Sequence, residues 1–383
     1  MIAPASLPPL SLYIHIPWCV RKCPYCDFNS HAQQGELPEA AYVAAMLEDL
    51  DQDLAYVQGR PIQSIFIGGG TPSLFSAAAY AELFAGLRQR LVFADDIEIT
   101  LEANPGTLEQ GRFAAYRALG INRLSIGVQS FDPAQLHKLG RIHSSGDALH
   151  AIASARDAGY DNFNVDLMHG LSGQSQAEAL ADLQQAIDAG APHISWYQLT
   201  IEANTEFYKR PPELPQENDM LAMQRAGFEL LAAAGFQRYE VSAFARPGHR
   251  ARHNINYWQF GDYLALGAGA HGKISDGAGV LRYQKTRKPE DYLSRAPSRS
   301  SAQQRVAEAD LPFEFMMNAL RLRGGVPRVL FSQRTGLDWS VIGAQVAALS
   351  ERDLLINDGS MLRCSERGFA FIDSILSEFL GSE

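Results

Sequence analysis

Three cysteines lie within eight residues of one another near the start of this 383-residue chain. Cys19, Cys23 and Cys26 follow the spacing C-x3-C-x2-C, whereas Cys364 is remote in the sequence. This uneven spacing is not typical of a disulfide framework, and clustered cysteines in a reducing compartment more often hold a metal. Three thiolates on one loop suit three irons of a [4Fe-4S] cluster and leave the fourth iron without a protein ligand.

A zinc site is an alternative interpretation of the same cysteines. Structural zinc normally takes four protein ligands, and His15 or His31 could supply the fourth. Buried cysteines without any metal are a third interpretation. The spacing favours the iron–sulfur cluster over both.

Glycine and polar residues stand where further predicted strands end. In Gly68-Gly69-Gly70-Thr71-Pro72, glycines let the backbone approach a ligand and leave amides free to bind it. Four polar residues follow the next strands: Glu102, Gln129, Arg141 and Asp166. Such residues face the mouth of a barrel, where barrels carry their chemistry. An arginine there could face a carboxylate, and an acid could face hydroxyl or amino groups.

Alternating strands and helices must position these residues. Six apolar, β-rich segments are predicted as strands: Leu12–Pro17, Ser64–Gly68, Glu98–Ala103, Arg123–Gln129, Asn162–Leu167 and His193–Ile201. Helical periodicity follows each, at about 38–57, 76–91, 107–119, 132–159, 175–189 and 216–235. Repeated βα units indicate a parallel sheet, closed into a barrel or open. A further strand, Tyr239–Phe244, is expected to extend it.

The remainder of the chain is predicted to be a connector and a small helical module. Residues 284–305 are basic and polar and are interpreted as a linker. Helices are expected at 310–322, 327–335, 339–350 and 365–380, with a hairpin, Leu354–Asn357 and Met361–Cys364, turning at Asp358-Gly359. Asp-Gly predicts a type I′ turn, and the whole pattern predicts a winged-helix-like domain.

Composition limits the classes of function. Hydrophobic residues make up 46% of the chain and charged residues 20%, so buried cores are expected and extended disorder is not. The net charge of −10 argues against non-specific nucleic-acid binding. No apolar run is long enough to span a bilayer, and no secretory signal is visible. We therefore expect a cytoplasmic protein.

The cysteine loop after the first strand resembles that of the radical S-adenosylmethionine (SAM) superfamily. The resemblance implies a partial (β/α)6 barrel, with SAM chelating the open iron and being cleaved to a 5′-deoxyadenosyl radical. It also implies that one set of residues binds SAM: Tyr13, Tyr25, Phe28, Gly69, Gly70, Thr71, Glu102, Gln129, Arg141 and Asp166.

The motifs together resemble the oxygen-independent coproporphyrinogen III oxidase family. They are Ser11–Cys19, Gly68–Pro72, Glu102–Gly106, Gly127–Phe131 and Asp166–Gly170. Two departures put the oxidase reaction in doubt. The oxidases carry a fourth cysteine where this chain has Phe28, and a longer segment before the first strand. By contrast, residues 253–258, HNINYW, match the HNxxYW motif of the heme-chaperone branch, HemW.

That branch implies heme binding, and residues of the motif are candidates for it. His253 could ligate the iron, while Tyr257 and Trp258 could lie against the porphyrin. His249 and His271 are alternative ligands. The competing interpretation is that His253 caps a turn while Tyr257 and Trp258 plug the end of the barrel.

The resemblance therefore implies a heme chaperone that carries a [4Fe-4S] cluster and SAM and delivers heme to acceptor heme proteins, with membrane cytochromes among the candidates. The alternative is a radical SAM coproporphyrinogen III oxidase, so enzymatic activity stays open. A winged-helix transcription regulator is disfavoured, because residues 301–383 hold eight basic and eleven acidic side chains. The predicted domains are the barrel (1–245), a connector with the HNxxYW motif (246–305) and the winged-helix-like domain (306–383).

Overall fold

The computed structural model of the protein describes residues 7–106, 111–296 and 298–380. Parts of several predictions lie outside these residues: the start of the helix expected at 107–119, the outermost residues of the first and last predicted domains, and residue 297 of the predicted connector and linker.

A parallel sheet forms the centre of the fold. The strands in chain order are β1 (Leu10–Ile16), the short pair β2 (Trp18–Cys19) and β3 (His31–Ala32), β4 (Ile62–Gly69), β5 (Phe93–Ala103), β6 (Arg123–Gln129), β7 (Phe163–His169) and β8 (His193–Gln198). Except for the β2–β3 pair, neighbouring strands of this series hydrogen-bond in parallel from β1 through β8. The six predicted strands and the partial (β/α)6 barrel are thereby confirmed.

Helices connect these strands on the outside of the sheet. They are α1 (Glu39–Asp53), α2 (Ala77–Arg90), α3 (Phe113–Ala118), α4 (Pro133–Lys138), α5 (Ser145–Asp157), α6 (Gln176–Asp188), α7 (Glu206–Lys209) and α8 (Glu217–Ala233). Local sequence sets several starts: Ser144 and Ser175 each form a capping box with the acid three residues later. The helical segments predicted from periodicity are confirmed where the structure describes them, and the one at 132–159 is divided into two.

Residues 237–305 extend the sheet at both edges. They form β9 (Gln237–Arg238), β10 (Ala243–Ala245), α9 (Arg252–Trp258), β11 (Asp262–Leu266), β12 (His271–Asp276), β13 (Gly279–Lys285), α10 (Pro289–Ser294) and β14 (Ser300–Arg305). Strand β11 pairs in parallel with β1, and β12 to β14 follow it as antiparallel strands. Antiparallel β10 and β9 extend the sheet beyond β8.

Two predictions about this region need correction. The strand expected at Tyr239–Phe244 does extend the sheet, as β10 beside β8, but its bounds are wrong, since Glu240 and Ser242 lie in the bend between β9 and β10. Residues 284–305 are not a linker. They were misinterpreted because β14 is an edge strand with exposed polar side chains, which lacks the apolar alternation of a half-buried strand.

The C-terminal module contains four helical segments expected from the sequence and a three-stranded sheet. Its elements are α11 (Leu311–Ala319), β15 (Val326–Pro327), α12 (Val329–Thr335), α13 (Ser340–Glu351), β16 (Leu355–Asn357), β17 (Met361–Cys364), α14 (Glu366–Phe369) and α15 (Ile372–Ser377). The winged-helix-like pattern is confirmed, although the last predicted helix is two short ones. The type I′ turn is wrong, since Gly359 has a positive φ and Asp358 does not.

A buried ion-pair network joins β11 to its neighbours. The Asp262 carboxylate accepts hydrogen bonds from Arg60 at 2.7 Å and from Lys273 at 2.9 Å. Asp262 and Lys273 are almost fully buried, so loss of one partner would leave an uncompensated charge. The C-terminal module packs on this edge, because Phe260 and Val280 belong to the same apolar core as Phe315.

We expect Gly227→Ala to destabilise the barrel. A Cβ atom on Gly227 in α8 would lie 2.1 Å from the ring of Trp196, a buried side chain of β8. Relieving such overpacking costs about 1–3 kcal/mol, more than alanine gains in helix propensity. Urea unfolding would measure the change. The matched control is Gly146→Ala in α5, where the nearest atom lies at 3.6 Å; equal stability of the two variants would contradict the prediction.

Candidate functional site

The three clustered cysteines lie on a loop closed by its own backbone. The loop leaves the end of β1, and β2 and β3 pair in parallel across it. The N–H of His31 donates to the Pro17 carbonyl at 2.7 Å. Lys22 also crosses the loop, donating to the Phe28 carbonyl at 3.2 Å. The loop is therefore held at the carboxyl end of the parallel sheet.

The structure engages one of the two histidines of the zinc interpretation, His15, in hydrogen bonds within the protein. Within the described part of the chain, no three His, Cys, Asp or Glu side chains come together in a group that could hold one metal ion. The Nε2 atom of His15 lies 2.8 Å from the Asn29 carbonyl, and Nδ1 lies 2.8 Å from the Tyr13 hydroxyl. His15 therefore uses both ring nitrogens within the protein.

A first cavity opens between the cysteine loop and the ends of β4 to β8. Its volume is about 270 Å³. All three clustered cysteines line it, together with nine of the ten residues predicted to bind SAM: Tyr25, Phe28, Gly69, Gly70, Thr71, Glu102, Gln129, Arg141 and Asp166. The tenth, Tyr13, faces a neighbouring cavity. The parallel strands thus gather residues from five βα units at one place, and their roles stay predictions.

Two carboxyl groups that interact electrostatically, those of Glu102 and Asp166, line the first cavity. Glu102 accepts a hydrogen bond from the Gly69 amide at 3.1 Å, and Asp166 accepts from Ser125 at 3.0 Å and Asn164 at 2.8 Å. Burial and then the charge of Asp166 raise the pKa of Glu102 to about 8. Burial likewise raises the pKa of Asp166. A ligand that brings a cation or hydroxyl donors would lower the electrostatic cost of ionising these two buried carboxyl groups.

Arg141 supplies the opposite charge beside the cysteines. Its Nη2 donates to Asn104 and to the Gly127 carbonyl, both at 2.7 Å, and its Nη1 lies 3.6 Å from Cys23 Sγ. Its Nε is buried without a hydrogen-bond partner in the described structure. One buried N–H is therefore left for an anionic group. With the carboxyl pair, the cavity suits a ligand that carries both signs of charge.

Sequence reasoning missed some residues of this cavity. Tyr197 donates to Gln129 Oε1 at 2.7 Å and so orients a side chain whose backbone has an unusual φ of 72°. Asn104 holds Arg141 and also donates to Thr71 at 2.9 Å. Asn104 was within a recognised motif, whereas Tyr197 was part of an ordinary apolar strand pattern that gave no signal.

A second, larger cavity adjoins the first. Its volume is about 620 Å³, and it shares Phe28, Gly69 and Glu102 with the first cavity. Aromatic residues supply much of its wall: Tyr13, Phe28, Phe66, Tyr257, Trp258 and Tyr263. Basic or imidazole side chains supply another part: His15, His271, Lys273, Arg282 and Arg287. The cavity therefore combines flat apolar surface with positive charge.

The HNxxYW helix α9 is divided between this cavity and the interior. Tyr257 and Trp258 line the cavity, but His253 does not. The His253 ring is 4% exposed, stacks on Phe66 at 4.4 Å and places Nδ1 2.8 Å from Glu98 Oε1. Burial opposes ionisation of Glu98, but the hydrogen bond and charge of His253 outweigh it and lower the pKa of Glu98 to about 2. His253 thus has a ready structural role, and its role toward heme stays a prediction.

The alternative histidines differ in position. His249 lies outside both cavities, with Nδ1 3.0 Å from the Pro247 carbonyl. His271, at the start of β12, lines the second cavity.

Comparison with known proteins identifies the relatives of this chain. The family model of the radical SAM superfamily matches residues 13–186, and that of the HemN C-terminal domain matches residues 306–371. The heme chaperone HemW of Escherichia coli is 52% identical over 378 residues, covering 98% of this chain and 99% of that protein. HemW of Haemophilus influenzae is 48% identical over 383 residues, with 99% and 100% coverage.

A solved structure shows the same fold. Coproporphyrinogen III oxidase (HemN) from Escherichia coli, a radical SAM enzyme, has a TM-score of 0.83 and 22% identity, covering 98% of this chain and 91% of that one. Among the described residues, no helix combines the length and apolar character of a bilayer-spanning segment.

We expect Glu102→Gln to change how the stability of the ligand-free protein depends on pH. In the unfolded chain the carboxyl loses its proton near 4.5, but in the folded chain it keeps the proton to about 8. The folded state binds more protons over this interval, so the free energy of unfolding falls as pH rises through it. The glutamine variant lacks this loss.

The free energy of unfolding of Glu102→Gln, relative to that of the unmodified protein, should therefore rise by about 1–3 kcal/mol between pH 5 and pH 8.5. This is less than the full pKa shift corresponds to, because the carboxyl is partly accessible through the cavity. Chemical denaturation at several pH values measures it. Glu229→Gln, at an exposed position of α8, is the control. A gain of equal size in both variants would contradict the prediction.

Proposed function

We propose that this chain, which belongs to the HemW family of radical SAM proteins, binds heme and transfers it to acceptor heme proteins. The observation that carries the proposal is the second cavity, whose aromatic and basic wall adjoins the first cavity and its cysteines. A flat apolar macrocycle with acidic side chains matches such a wall.

We further propose that Cys19, Cys23 and Cys26 hold a [4Fe-4S] cluster and that SAM occupies the first cavity. The unpartnered Nε of Arg141 supports a carboxylate on that side, and the Glu102–Asp166 pair supports an amino group or ribose hydroxyls on the other. When bound together, the cluster and SAM supply reductive cleavage of the sulfonium. Burial raises the pKa of Glu102 to about 8 and also raises the pKa of Asp166, and Tyr197 fixes Gln129.

The chemistry of its wall supports the proposal that heme binds in the second cavity. Tyr257 and Trp258 present flat surface, and the Arg321 guanidinium stacks over the Trp258 ring at 4.3 Å. The Trp258 indole N–H has no hydrogen-bond partner in the described structure, so a polar ligand group can accept it. Arg282 and Arg287 can face the propionates, although Arg282 is already paired with Glu314.

Delivery is proposed to heme proteins in general, with membrane cytochromes among the candidates, and in the cytoplasm. A reducing compartment keeps the three clustered cysteines available for iron, and the structure has them as free thiols.

The predicted SAM residues in the first cavity favour a second candidate, a radical SAM oxidase of a tetrapyrrole such as coproporphyrinogen III, whereas Phe28 argues against it. The first cavity holds nearly all of the predicted SAM set, and the fold is that of an oxidase. Phe28, at the junction of the two cavities, stands where the oxidases have their fourth cysteine. Anaerobic turnover of coproporphyrinogen III to protoporphyrinogen IX would replace the carrier proposal with this one.

We expect the cluster-loaded protein to bind about one heme per chain and to pass it to an apo-cytochrome. Combined Tyr257→Ala and Trp258→Ala should weaken heme binding by about 10- to 100-fold, because aromatic surface is lost from the cavity. Titration monitored by the Soret band measures affinity, and gel filtration after mixing measures transfer. The control is Tyr208→Ala, which removes an exposed aromatic ring outside the cavity. Heme that binds equally to all variants would contradict the placement.

Arg141→Met should weaken SAM binding by about 1.5–3 kcal/mol, because a charge-assisted hydrogen bond to the carboxylate is lost. Calorimetric titration of the cluster-loaded protein measures this, and iron content per chain shows whether the cluster is kept. Lys138→Met, which removes an exposed cation nearby, serves as the control. Unchanged SAM affinity in Arg141→Met at full iron content would contradict the assignment.

A further inference from the structure

The second cavity contains one imidazole that the protein leaves free. We propose that His271, on β12, is the axial ligand to the heme iron, an inference that rests on the proposed heme-binding function. The HNxxYW motif suggests His253 instead, so the two assignments predict different results.

Hydrogen bonding separates the histidines of this region. His253 is buried against Glu98 and outside the cavity lining, and His15 uses both ring nitrogens with Tyr13 and Asn29. His271 lines the cavity, and neither of its ring nitrogens has a hydrogen-bond partner among the described residues. A heme iron in the cavity could therefore take His271 without breaking an existing contact.

The protonation state of His271 agrees with this role. Burial, followed by the positive charges of Arg287 and Arg282, lowers the pKa of His271 below its usual value. A lowered pKa favours the neutral imidazole, which is the form that binds iron. Arg287 forms no ion pair with a described residue, so it is available to a propionate while the neighbouring imidazole meets the metal.

The backbone before His271 is fixed to the cysteine loop. Asn29, three residues after Cys26, donates from Nδ2 to the Ala268 carbonyl at 3.0 Å and to the Arg287 carbonyl at 2.8 Å. Gly269 allows this close approach: its φ is 82°, and a Cβ there would lie 2.2 Å from Asn29 Nδ2. The loop of the proposed cluster thus positions both His271 and Arg287.

The test is heme titration of the full-length, cluster-loaded protein and of His271→Ala, His253→Ala and His249→Ala. Soret absorption gives the affinity, and electron paramagnetic resonance gives the spin state and axial ligation. His271→Ala should lose the imidazole-ligated spectrum and bind heme at least about 10-fold more weakly. Added imidazole should restore the spectrum, which a merely structural effect would not allow. His249→Ala should match the unmodified protein.

The outcomes distinguish a failure of His271 ligation from a failure of the proposed heme-binding function. If the unmodified protein shows no saturable heme binding, the proposed function fails and His271 ligation fails with it. If heme binds and His271→Ala keeps the same spectrum and affinity, the inference alone fails. A changed ligation spectrum in folded His253→Ala, with His271→Ala unaffected, would assign the ligand to the motif histidine instead. Circular dichroism checks folding, and because the His271 side chain stands at the start of a strand without a hydrogen-bond partner among the described residues, its removal should leave the fold intact.

Discussion

The parallel pairing of β1 with β4 on one side and β11 on the other is the constraint on which both cavities depend. Residues Leu10 to Ile14 of β1 are in register with Asp262 to Leu266, and residues Ser11 to Ile16 with Ser64 to Gly69. Because parallel strands end at the same edge, the loop after β1 reaches over both neighbours. Its cysteines face the β4 side, and Asn29 faces the β11 side. One loop therefore belongs to two sites.

Charge distinguishes the two cavities. In the first, Glu102 and Asp166 are buried carboxyl groups with raised pKa values and Arg141 keeps one N–H unpaired, so a ligand would complete the electrostatics. In the second, Lys273 and Arg282 are already paired with Asp262 and Glu314, and Arg287 alone of these cations forms no ion pair with a described residue. The second cavity therefore depends less on a ligand, as the proposed carrier role would require, whereas the first gains more from being filled.

The sequence predicted the structure correctly where a local pattern of residue types indicates one structure. Near-continuous apolar runs gave the six central strands, and the position of Glu102 and Asp166 at strand ends brought them into one cavity. It failed where long-range pairing decides the structure. Strand β11 is a short apolar run between glycines, and its burial depends on β1, which is about 250 residues earlier in the chain. The resemblance assigns Tyr13 to the SAM set; the alternation of side chains along β1 directs it into the second cavity, and its role toward SAM stays a prediction.

The position of His253, the histidine of the HNxxYW motif, also depends on a long-range contact that the sequence pattern does not predict. HNINYW predicts a single heme-binding unit, and His253 and Tyr257, four residues apart, do lie on the same helix face with their ring centroids 6.2 Å apart. That face nevertheless extends from the interior to the cavity wall. Tyr257 and Trp258 point to the cavity while His253, four residues before Tyr257, meets Glu98 in the interior. Glu98 also accepts the backbone N–H groups of Arg252 and His253, so it fixes the start of the helix. The His253–Glu98 contact therefore sets where the two aromatic rings lie, and a motif histidine can matter to heme binding without touching the iron.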